Sequence, residues 1–125
     1  MALYRAGASA EKPTLLWTNE NPSSAFAGQT LNVDCSDYKW LIFKIKNSPS
    51  GTYIYYLAVD VENNQKFGIG SNTNANIGVG NGGYIRNVDI TNNTLKFSTG
   101  FSTAGTSSAN NIIPLEVYGL KKSII

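Results

Sequence analysis

The sequence predicts an all-β fold, two antiparallel sheets packed as a β-sandwich and wound like a jelly roll. Three observations carry this. Short runs alternate apolar and polar residues with the period of two that a strand requires, most clearly in Trp40-Leu-Ile-Phe-Lys-Ile-Lys46. There Leu41, Phe43 and Ile45 share one face, and Lys44 and Lys46 share the other. No segment holds helical spacing over the length of an ordinary helix. Clusters of Asn, Ser, Gly and Pro separate the runs at the regular intervals of a sandwich.

Residues 1 to 13 are small and polar with no clear period, and read as a flexible arm ahead of one domain spanning 14 to 125. Leu15-Leu-Trp17 begins the first strand, and Asn19-Glu-Asn-Pro-Ser-Ser24 is a dense turn signal. Ala25-Phe-Ala27 tucks one aromatic ring into the core. Thr30 to Cys35 alternates as a strand, with Leu31, Val33 and Cys35 inward, and Ser36-Asp37 turns the chain into the Trp40 strand. After the turn Asn47-Ser-Pro-Ser-Gly51 comes the longest strand, Thr52 to Val61. One of its faces carries Tyr53, Tyr55, Leu57, Val59 and Val61; the other carries Ile54, Tyr56, Ala58 and Asp60.

Glu62-Asn-Asn-Gln65 turns into a strand at Lys66 to Ile69. Residues 70 to 83 are Gly- and Asn-rich and read as a loop or a weak edge strand around Ile77 and Val79. Tyr84 to Ile90 and Leu95 to Thr99 form a hairpin across Thr91-Asn-Asn-Thr94. A second polar loop covers 102 to 111, and Ile112 to Leu120 is the last strand, with Ile113, Leu115 and Val117 on one face. The expected core is Leu41, Phe43, Ile45, Leu57, Val59, Leu95, Phe97, Leu115 and Val117.

Composition narrows the chemistry. The 125 residues suffice for one domain that buries about two thirds of its unfolded surface. The charged fraction, 14%, is low, and the net charge of +2 comes with no basic run beyond Lys121-Lys122. A nucleic-acid partner is therefore not expected. No apolar stretch reaches membrane-spanning length and the N-terminus lacks a signal-peptide core, so the expected chain is made in a cytoplasm, stays soluble and does not insert in a membrane. A single cysteine excludes an internal disulfide, and with no histidine in the chain Cys35 lacks the partner of a nucleophile.

The eight acidic residues are the remaining catalytic candidates. Asp34 with Asp37, or Asp60 with Glu62, has the residue types of a glycosidase pair. Each lies at a strand end or turn where acids are ordinarily solvated, so no catalytic residue is assigned. No calcium-loop pattern is present, and no metal or cofactor is expected.

The aromatic residues point elsewhere. Tyr53 and Tyr55 are expected to line the core with their hydroxyls at its rim. Trp40, Ile42, Ile54 and Tyr56 fall on the opposite faces of their strands, an outward apolar set that predicts a contact with a neighbouring subunit. Asn72, Asn74, Asn76 and Asn81 in one loop, and Ser107 and Asn110 in the other, offer amide and hydroxyl groups to a ligand.

Leu16-Trp-Thr-Asn-Glu-Asn-Pro22, Phe26-Ala-Gly-Gln-Thr30, Leu31-Asn-Val-Asp-Cys-Ser-Asp-Tyr38 and the closing Ile113-Pro-Leu-Glu-Val-Tyr-Gly119 together carry a resemblance. Over residues 15 to 120 the chain resembles small β modules in tail-fibre and minor structural proteins of bacteriophages of Gram-positive bacteria. The resemblance implies a virion protein, a tail-fibre or receptor-binding module adhering to host-surface glycan. It also implies other virion proteins as partners and a homo-oligomer, with a trimer favoured. A head-fibre or capsid decoration protein that binds only virion proteins is the alternative, and a glycan-cleaving enzyme the third reading. The motifs are structural and carry no catalytic or ligand residues across.

Overall fold

The computed structural model describes residues 12–71, 83–91, 93–102 and 107–121. The predicted arm lies outside them except for Lys12 and Pro13, as does nearly all of the 70–83 loop. Among the described residues there are nine strands and no helix. They are β1 (Thr14–Thr18), β2 (Gln29–Leu31), β3 (Tyr38–Lys46), β4 (Ile54–Asp60), β5 (Lys66–Ser71), β6 (Tyr84–Thr91), β7 (Thr94–Phe97), β8 (Phe101–Ser102) and β9 (Ile113–Lys121).

Two antiparallel sheets form. The first has the order β1-β9-β3-β4; the second has β2-β7-β6-β5, with β8 also paired to β6. β8 continues the line of β7: the register moves by one residue between Val88↔Phe97 and Ile85↔Phe101, a bulge at Ser98 to Gly100. The chain changes sheet between β1 and β2, β2 and β3, β4 and β5, and β8 and β9.

The core lies where the alternating faces meet. Leu41, Phe43, Ile45 and Val117 come from the first sheet, and Ile69, Val88, Ile90, Leu95 and Phe97 from the second; all are buried. Five rings run through it in contact, Trp17–Phe26 (5.9 Å), Phe26–Phe97 (5.5 Å), Phe97–Phe43 (6.2 Å) and Phe43–Phe67 (5.7 Å), mostly edge to face. Leu57, Val59 and Leu115, expected in the core, pack against it half-buried. For Leu57 and Val59 the reason is position: β4 is an edge strand. Leu115 is the extra residue of a β-bulge between Lys44↔Glu116 and Ile45↔Pro114. That bulge also accommodates Pro114, which has no N–H to give a central strand.

Four expectations are corrected. Tyr53 does not line the core: it precedes β4 and is 57% exposed, while Tyr55 packs inward as expected. The run expected as the longest strand is shortened from Thr52–Val61 to Ile54–Asp60, seven residues against nine in β3 and in β9. The Thr30–Cys35 strand is reduced to Gln29–Leu31. Val33 and Cys35 keep the inward phase and are buried, but here the chain leaves the second sheet for the first. Asp34 Oδ1 accepts the Ser36 N–H at 3.0 Å, and the Tyr38 N–H donates to the Cys35 carbonyl at 3.2 Å, a turn in place of a ladder. Finally, Ile112 does not begin the last strand; its φ is +55°, a conformation costly for a β-branched residue.

Arg86 accounts for that strained residue. It falls on the inward face of β6 between Tyr84 and Val88, and is fully buried. Its Nε donates to the Ile112 carbonyl (2.6 Å), Nη1 to Ser98 (2.8 Å) and Nη2 to Asn111 (3.1 Å) and Ala109 (3.4 Å). The guanidinium lies 5.0 Å from the Phe26 ring centroid. Burial presses its pKa down to about 10, so it stays charged at neutral pH and acts as a four-way donor for carbonyls that no strand partner satisfies.

Candidate functional site: the outer face of the first sheet

Strand alternation sends every second side chain of the first sheet outward, and the register sets these side chains side by side. One row crosses all four strands: Leu15 of β1, Tyr118 of β9, Ile42 of β3 and Ala58 of β4. The next contains Glu116, Lys44 and Tyr56, and flanking rows pair Leu120 with Trp40 and Lys46 with Ile54. All four residues expected at a subunit contact, Trp40, Ile42, Ile54 and Tyr56, are therefore brought to one face. Ile54 is 48% and Tyr56 60% exposed, and Leu15 adds a further exposed apolar group at 51%.

Leu15, Tyr118 and Leu120 were not expected there. A β-bulge at Leu16 is what turns Leu15 outward while Leu16 and Trp17 both pack on the core. The signal for Tyr118 and Leu120 was the alternation past Val117 in the last strand.

The few charges on this face are satisfied within it. Lys44 Nζ lies 3.7 Å from Glu116 Oε1 and 5.8 Å from the Tyr56 ring centroid. The Tyr118 hydroxyl donates to Glu116 Oε1; that bond, with burial and the negative charge of Glu116 behind it, pushes the Tyr118 pKa up to about 12. At the end of the face a second bulge, at Lys39, places Lys39 Nζ 3.1 Å from Asp60, 3.3 Å from Glu62 and 5.4 Å from the Trp40 ring centroid. Lys46 Nζ donates to the Pro49 carbonyl at 2.8 Å. A face whose charges are paired, or in the case of Lys46 bonded to a carbonyl, presents little net field beside its apolar side chains. It is suited to being covered by protein.

Of the residues expected to face a ligand, Asn72, Asn74, Asn76 and Asn81 lie outside the described residues. Ser107 and Asn110 are exposed, and Ser107 forms an isolated bridge to Phe101. The backbone from 108 to 112 is held firmly: the Ser108 N–H donates to Gly100 (2.7 Å), Phe26 N–H to Ala109 (2.9 Å), and Arg86 to Ala109, Asn111 and Ile112. Of the carboxylates weighed as catalytic pairs, Asp34, Asp60 and Glu62 have structural work. Asp34 closes the Ser36 turn, and Asp60 is held below its usual pKa chiefly by Lys39 and accepts from Asn63 and the Glu62 N–H. Cys35 is buried, and burial with the nearby Asp34 charge pushes its thiol up to about 11. Among the described residues no three His, Cys, Asp or Glu side chains converge as metal ligands.

The chain matches no protein-family model and no curated protein.

Proposed function

We propose that this chain is a bacteriophage virion structural module of the tail-fibre or receptor-binding type, non-enzymatic. It is made in the host cytoplasm, joins to copies of itself and other virion proteins, and adheres to host-surface glycan. The observation that carries the assembly is the outer face of the first sheet, where Leu15, Tyr118, Ile42 and Ala58 cross all four strands and Ile54 and Tyr56 stand about half exposed beside them. Such a face is more apolar than a solvated sheet usually presents. A second copy is the occupant that fits: the paired Lys44–Glu116 charges cost no unmatched burial, and the low overall charge removes repulsion between copies. A closed trimer, in which each copy's face meets a different patch on its neighbour, is the favoured assembly. The jelly-roll winding belongs to the same reading. The placing of β9 between β1 and β3, and of β2 beside β7, supports it, while β4 stays with β3 as a hairpin.

Light scattering coupled to size exclusion tests the assembly: the expected mass at micromolar concentration is three times 13.5 kDa, and a monomer contradicts it. The firmly held 108–112 backbone favours a second reading, a head-fibre or decoration protein that binds virion proteins alone. A glycan array separates the two, since only the adhesive module retains sugars.

A further inference from the structure

We propose that the cleft at the open edge of the sandwich, between β1 and β2, is a binding site for an uncharged pyranose ring. This inference rests on the adhesive reading above and gives it a site other than the loop residues named for ligand contact. The cleft encloses about 320 Å³, at the lower end of the range for small-molecule sites. Trp17 and Phe26 form its apolar wall, and Glu20, Asn21 and Gln29 its polar rim. Trp17 is half-buried, packed on Phe26 and Phe97, so its ring is fixed while part of it borders the cleft.

An aromatic wall beside amides and a carboxylate matches a sugar: ring C–H groups pack on the aromatic surface, and hydroxyls both give and take hydrogen bonds at the rim. Charge sets the ligand class. Among the described residues Glu20 is the one ionisable group lining the cleft and no cation lines it, so a phosphate, sulfate or uronate would find no counter-charge in this lining. Neutral hexoses and N-acetylhexosamines are the sugars left.

The rim is pre-organised. Asn19 is buried; its N–H donates to the Leu115 carbonyl (2.8 Å) and its Nδ2 to Pro114 (2.8 Å), tying the turn to the central strand β9. Asn19 Oδ1 accepts the Asn21 N–H (2.7 Å), and the Ser24 N–H donates to the Asn21 carbonyl (3.1 Å). Asn19 is thus a positioning residue. The Asn21 amide and Glu20 carboxylate hold no hydrogen bond or ion pair among the described residues. Gln29 donates to the Ala27 carbonyl (3.0 Å), which leaves its Oε1 for a ligand. Rigid presentation of free polar groups is what lowers the ordering cost of binding.

The test measures binding of wild type, Asn21→Ala and Glu20→Ala to immobilised glucose, galactose, rhamnose and N-acetylglucosamine, and to purified wall polysaccharide of Gram-positive bacteria. Lys96→Ala, an exposed outward residue of β7 that does not line the cleft, is the control. Both rim residues are exposed, so melting temperature and assembly mass should not change. The expected result is wild-type binding that weakens about tenfold or more in each rim variant and is unchanged in Lys96→Ala. Wild-type binding that both rim variants retain in full overturns the cleft and leaves the adhesive reading standing. No wild-type binding to any of these sugars removes the adhesive reading, and the cleft with it.

Discussion

The outer faces of the two sheets are built by the same alternation and differ in what they present. Across the first sheet one row reads Leu15, Tyr118, Ile42, Ala58. Across the second, the corresponding row reads Thr30, Lys96, Asp89, Lys66, with Asn87 and Gly68 paired beside it. The second face is an ordinary solvated surface, its Lys66–Asp89 pair 3.9 Å apart and largely exposed. The first is a sheet face with the composition of a contact. One sandwich thus carries its own control: whatever is special about the apolar face should be absent from the polar one.

Substitutions in the shared core should not discriminate between the faces, and they set the upper end of the scale. Phe43 contacts Phe67 and Phe97 of the opposite sheet, so Phe43→Ala should cost about 3–5 kcal/mol in denaturant unfolding. An unchanged midpoint would remove Phe43 from the core. Arg86→Met should cost about 2–4 kcal/mol, because relief of the buried charge only partly offsets leaving the Ile112, Ser98 and Asn111 carbonyls unpaired. Its hydrogen exchange should rise in 98–102 and 108–112 before elsewhere.

Gly119 tests the layer just beneath the apolar face. A Cβ there would stand 2.5 Å from the Tyr38 ring, so Gly119→Ala should cost about 1–3 kcal/mol as the ring is displaced. On the face itself, the raised Tyr118 pKa means that folding favours the protonated phenol. That contribution is complete below about pH 10, the ordinary tyrosine value, and is lost as pH rises to about 12. In a tyrosinate absorbance titration Tyr118 should titrate late, and Glu116→Gln should return it toward the ordinary value. The smallest effect belongs to the polar face: Lys96→Ala should change stability by less than about 0.5 kcal/mol.

How much of this was legible in the letters follows the same division. Alternation alone placed Leu41, Phe43 and Ile45 inward and Trp40, Ile42, Ile54 and Tyr56 outward, since a half-buried strand leaves no other register. It failed where the backbone departs from regular pairing. Leu15 faces outward because of a bulge at Leu16, and Leu115 is half-buried because it is the extra residue beside Pro114. Tyr53 precedes its strand and so escapes the period altogether. Arg86 sat in plain alternation with Val88 and Ile90, yet its role depends on carbonyls from 98 to 112, which only the folded chain assembles. The Trp17 cleft likewise joins residues of two sheets, and no local pattern marks it.

The central claim is that the apolar face is covered by another copy of the chain and the polar face is not. It is tested most directly by placing one aspartate on each. Tyr56→Asp and Asn87→Asp are both exposed positions on outward strand faces, matched in the charge they introduce. Assembly mass by light scattering, with circular dichroism to confirm the fold, reads the difference. The account predicts a trimeric wild type, a trimeric Asn87→Asp and a monomeric, folded Tyr56→Asp. A wild type that is already monomeric, or a Tyr56→Asp that stays assembled while Asn87→Asp dissociates, would contradict it.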